Sequence, residues 1–63
     1  MLKYTGCVVD MIYMDRNGRF TRRRARVISV QDGVVRAYDV VKRAPRVFVV
    51  SRIMAVVPVR RGA

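Results

Sequence analysis

The stretch at residues 19–27, RFTRRRARV, places five arginines in nine positions. Guanidinium groups are planar forks that hold carboxylates and phosphates through paired hydrogen bonds. In an extended strand alternate side chains share a face, so Arg22, Arg24 and Arg26 would stand about 7 Å apart along one side. That step is comparable to the spacing of phosphates along an extended nucleic-acid strand. Arg36 is a further cation able to grip an anion. The competing reading of the stretch is a solvated strand kept soluble by its charge.

Composition favours the anion-binding reading. Of 63 residues, 14 are Lys or Arg and 4 are Asp or Glu, a formal net charge of +10. Lys3 and Lys42 are the only lysines, and every acid is Asp. A surface chosen for solubility mixes both signs and uses Lys and Glu. An arginine-dominated excess points instead to a polyanionic partner, nucleic acid first. Catalysis lacks material. There is no His, no Glu and a single Cys, which leaves neither a general acid–base pair nor a metal site. The chain is therefore read as a binding module that needs no cofactor.

Cys7 has no partner for an internal disulfide, which suggests a cytoplasmic protein, and it is expected as a small buried side chain. Met1 is not followed by a basic region and an apolar run, so no signal peptide is expected. The longest apolar run, residues 53–59, contains Pro58 and is far shorter than the roughly 20 residues a membrane helix needs. No membrane partner is expected.

The elements that must position these residues are strands. Asp15-Arg-Asn-Gly18, Gln31-Asp-Gly33 and Lys42-Arg-Ala-Pro45 punctuate the chain, and Asn-Gly and Asp-Gly accept the positive φ of tight reverse turns. Valine-rich segments lie between them, with no 3.6-residue stripe. The spacing predicts β1 at 6–14, β2 at 19–30, β3 at 34–41, β4 at 46–51 and β5 at 54–59, with a short helical turn or kink in Ser51-Arg-Ile-Met54. Five short antiparallel strands predict one all-β domain spanning residues 1–63. Its expected form is a small five-stranded barrel of SH3-like or Sm-like type.

Strand parity predicts a core of Val35, Ala37, Phe48, Val50, Ile53 and Val56, and leaves Val47 and Val49 outside. Both faces of β1 are largely apolar, which suggests a homo-oligomer, a dimer or a ring. Arginine falls on both faces of the first half of β2. That half is expected to project as an extended basic β1–β2 hairpin or to curl over the end of the barrel.

Residues 33–56, GVVRAYDVVKRAPRVFVVSRIMAV, resemble the second half of a WYL domain. Ala37 and Tyr38 match the end of that family's aromatic-rich strand. Arg46, Phe48, Arg52 and Ile53 match its Arg-x-Phe-x-x-x-Arg-Ile pattern. Tyr13, Asp15 and Gly18 match its opening hairpin, so the likeness runs over about residues 8–57. The chain departs from the pattern at Gly33, Val34 and Val35, where the naming Trp-Tyr-Leu would fall, and at Ser51, where an Asp is usual. It resembles a divergent, minimal member. The resemblance implies an Sm-like, SH3-type barrel that binds nucleic acid or a nucleotide-like ligand. It also implies a regulatory or accessory module in transcription or phage defence, with Arg46 and Arg52 as an anion-binding pair and Tyr38 nearby. A structural module that assembles through spare apolar faces, its charge serving solubility, is the alternative.

Overall fold

The computed structural model describes residues 4–59. The strands are β1 (Val8–Met14), β2 (Phe20–Gln31), β3 (Val34–Asp39), β4 (Ala44–Val49) and β5 (Ile53–Pro58), with a 3-10 turn at Val50–Arg52 between the last two. They form one antiparallel sheet in the order β4-β3-β2-β1-β5. Two of the turns follow directly from sequence. Asp32 and Gly33 both take positive φ, 52° and 73°, the geometry of a two-residue hairpin between right-twisted strands. At the first hairpin the Asp15 carboxylate accepts the Asn17 and Arg19 amides, and Gly18 takes φ 77°.

The sheet is strongly curled. β4 lies three strand spacings from β1, about 14 Å in a flat sheet. Yet the Tyr13 and Phe48 rings sit 5.1 Å apart, edge to face. The Tyr13 hydroxyl also accepts the Val49 amide at 3.1 Å. The pairing stops at β4 and β5, so the sheet is not closed by hydrogen bonds among the described residues. Tyr13→Phe keeps the ring contact and removes this one tie. It should cost about 1 kcal/mol, read as a lower melting temperature without loss of the β-sheet circular dichroism signal.

Inside the curl lie Val9, Met11, Ala25, Val27, Val35, Ala37 and Phe48, all buried. Val50, Ile53 and Val56 are only partly buried and pack against this cluster, not within it. They belong to the 3-10 turn and to β5, at the rim where the sheet stays open. Cys7 is exposed, contrary to the buried position expected of it. Ahead of the first strand residue the Gly6 amide and the Cys7 carbonyl both bond Val27, and this two-against-one irregularity, with Gly6 at φ 84°, leaves the Cys7 side chain in solvent.

The basic hairpin is better supported than a free arm. β1 pairs with β2 along its whole length and with β5 on its other side, as far as Tyr13 opposite Ile53. Only β3 falls short. Its pairing with β2 begins at Ala25, and the Val40 amide reaches the Arg24 carbonyl. Residues 20–23 therefore form a short open edge on a three-stranded corner.

Candidate functional site

The outer face of the sheet collects one group of arginines. Along β2, Ala25 and Val27 are buried and Arg22, Arg24 and Arg26 are exposed on the opposite side. On β3 the same parity turns Arg36 and Tyr38 outward while Val35 and Ala37 are buried. Antiparallel register sets Arg26 across from Tyr38, and Tyr38 across from Pro45 on β4. Cross-strand partners lie about 5 Å apart, so the Tyr38 ring is flanked by Arg26 across the strand and by Arg36 two residues along it.

One acid enters this face. Asp10 of β1 stands opposite Arg24, and the two form a fork-to-fork pair. Arg24 Nε donates to Oδ1 at 2.9 Å and the terminal nitrogen donates to Oδ2 at 3.0 Å. The Arg24 hydrogen bonds hold the Asp10 carboxyl below the usual carboxylate range against partial desolvation, and the same pair raises the Arg24 guanidinium. Arg24 thus spends its fork within the chain. No ion pair engages Arg22, Arg26 or Arg36 among the described residues.

Of the other three acids, Asp15 and Asp32 lie in turns at the ends of the sheet. Asp39 is 2% exposed and on the inner side of β3. Its Oδ1 accepts the Lys42 amide at 2.9 Å and the Val41 amide at 3.0 Å. The Lys42 bond is the main reason its pKa is lowered. Burial opposes the shift, and the Val41 amide, Arg46 and Arg23 add to it. Arg23, inward by parity and half-buried, has its Nε buried without a hydrogen-bond partner.

Arg46 and Arg52, the pair that the WYL resemblance implies, line two different depressions. Arg46 shares the parity of Phe48 and lines a depression with Ile28, Arg36, Pro45 and Val47. Arg52, in the 3-10 turn, lines a different one with Tyr13, Asp15, Arg16 and Val49. Tyr38 lines neither. What the arrangement brings together is Arg26 and Arg36 beside Tyr38, with Arg22 further along the same exposed face of β2. Reading the sequence alone missed the Asp10–Arg24 pair. Its signal was present, because the turn at residues 15–18 fixes the hairpin register. Comparison with family models, with curated proteins and with solved structures finds no match for this chain.

Proposed function

We propose that this chain is a small nucleic-acid-binding module of SH3-like or Sm-like type. It takes a nucleic acid, or a nucleotide-like polyanion, on the outer face of β2 and β3. The observation that carries this reading is the sorting of charge. Arg22, Arg26 and Arg36 share one exposed face with Tyr38, and Asp10 is the one acid there, already held by Arg24. Cations that track a backbone beside an aromatic ring are the ingredients of a stacking platform. The strand order, the 3-10 turn before the last strand and the curl that brings β4 over β1 support the barrel type. The WYL resemblance adds a regulatory or accessory role in transcription or phage defence.

Fluorescence anisotropy with labelled single strands and duplexes of DNA and RNA, titrated across salt, tests the reading. Binding should weaken steeply as salt rises, because phosphate contacts release counterions. No binding to any of these at low salt would overturn it. Asp10→Asn supplies a sharper expectation. It frees Arg24 and removes the lone negative charge of the face, so affinity should rise. The salt slope should steepen by about 0.7–0.9 for one added phosphate contact. The melting temperature should hardly change, since an exposed ion pair contributes little stability.

A further inference from the structure

The two edges of the open sheet differ in what they offer another strand. Just past β4, the Val50 amide bonds the Gly33 carbonyl. This sets the phase of the ladder, and positions 45, 47 and 49 turn their backbone groups away from β3. Pro45 has no amide hydrogen to give, and the Val49 amide is taken by Tyr13. That edge is blunted against strand addition. The open corner of β2 at residues 20–23 presents exposed Arg22, and a second copy would set arginine against arginine.

β5 is different. The Val59 amide bonds the Val8 carbonyl, so positions 57 and 55 bond to β1 and Val56 turns its amide and carbonyl outward. Neither group has a strand partner among the described residues. The strand, Ile-Met-Ala-Val-Val-Pro, carries no charge in a chain of net charge +10. It leaves Met54 46% and Val57 61% exposed.

We infer that two copies of this chain pair antiparallel through their β5 edges, about a two-fold axis at Val56. Each Val56 amide donates to the Val56 carbonyl of the other copy. In this register Ala55 meets Val57 of the second copy, small against large, and the regular pairing ends at Met54, where the β1–β5 register shifts between Ala55 and Ile53. Pro58, which cannot donate, falls at the end of the strand, where it costs least. The occupant is a second copy because the pattern is self-complementary and uncharged, and because the other two open edges are guarded. A single six-residue edge buries less than the about 1,000 Å² of a stable interface, and two copies of net charge +10 repel. The dimer is therefore weak, with a dissociation constant on the order of 100 μM, and it strengthens as salt screens the charge. Pairing sets both arginine faces on the same side of one continuous sheet, the two β2 strands about 24 Å apart.

The test uses the protein alone, so it stands or falls apart from polyanion binding. Sedimentation equilibrium at about 0.5 M salt, where screening is strong, should show the mass rising with concentration from 7.3 kDa towards twice that value. Exchange of the Val56 amide hydrogen should slow about fivefold at about 1 mM, where about one fifth of the chains remain unpaired. Val57→Lys places two like charges beside the axis at an exposed position and should stay at 7.3 kDa throughout. Ala55→Lys serves the same purpose if that variant does not fold. A parent chain that stays at 7.3 kDa up to about 1 mM overturns the proposal. So does a dimer that survives these lysines while the Val56 amide exchanges as fast as in dilute solution.

Discussion

Asp39→Ala should lower the unfolding free energy by about 2–3 kcal/mol, the worth of a carboxylate that holds two backbone amides. For a domain of this size that shifts the melting temperature down by about 10–20 °C. The Lys42 and Val41 amides both converge on Asp39 Oδ1, and the turn they form ends with Arg43 in the left-handed region at φ 55°. A non-glycine residue adopts that conformation at a cost of about 1 kcal/mol, so the carboxylate holds a strained turn closed. Asp39→Asn keeps the accepting oxygen and should retain roughly half of the stability, which separates hydrogen bonding from charge. The pH dependence follows from the lowered pKa. The stabilisation is fully present above the unfolded carboxyl value near 4 and is lost as pH falls through the lower folded value. Thermal melts between about pH 2 and 7 should show the parent and the Asp39→Ala chain converging at the acid end. Two curves that remain parallel would remove this account of the turn.

This acid was hard to see in the sequence. Asp39 lies within VVRAYDVV, a run that reads as strand on both sides of it, and parity alone does not say that an acid will occupy an inward position. The structure admits it because β3 ends there and the following amides turn back onto the carboxylate. The same turn moves the start of β4 to Ala44, two residues ahead of the boundary that Pro45 suggested. The Asp-Gly turn, by contrast, was legible, since the positive φ at Asp32 and Gly33 is a local demand met by local residues.

The inward choice of Val35, Ala37 and Phe48 was legible too, because Arg36 on one strand breaks the tie. Both faces of β1 are largely apolar, and Asp10, which shares the even face with Val8, Ile12 and Met14, was the one sign that Val9 and Met11 face the core. β2 was ambiguous for the opposite reason. Arg23 shares its face with Ala25 and Val27, yet it is tolerated there because β3 does not extend past Arg24 and the interior is open at that corner. Of the candidate binding residues, parity correctly grouped Arg22, Arg24 and Arg26 on one exposed face. It could not reveal that Arg24 is already engaged by Asp10 on a neighbouring strand.

The largest effect on binding should come from reversing Arg22 and Arg26, the two outward arginines of β2 that form no ion pair among the described residues. Arg22→Glu with Arg26→Glu removes two cations from the phosphate track and sets two carboxylates beside it. Hydrogen bonds to charged groups are worth about 1.5–3 kcal/mol each, so affinity for a single strand at low salt should fall by two orders of magnitude or more. The salt slope should flatten by about 1.4, because two phosphates of the single strand keep their counterions. Net charge alone would predict the same loss wherever the reversal is made. Arg16→Glu with Arg19→Glu, in the exposed hairpin turn, changes the chain by the same amount away from the Tyr38 face and should cost much less. Tyr38→Ala should weaken single strands by about 1–3 kcal/mol and leave inorganic polyphosphate unaffected, because a chain without bases has nothing to stack. Equal losses in the two double variants would reduce the outer face to a general cloud of charge. A loss confined to Arg22 and Arg26, with Tyr38 felt only by ligands that carry bases, would make β2 and β3 the binding surface. In either case the protein should keep its β-sheet spectrum, since Arg22, Arg26 and Tyr38 are exposed.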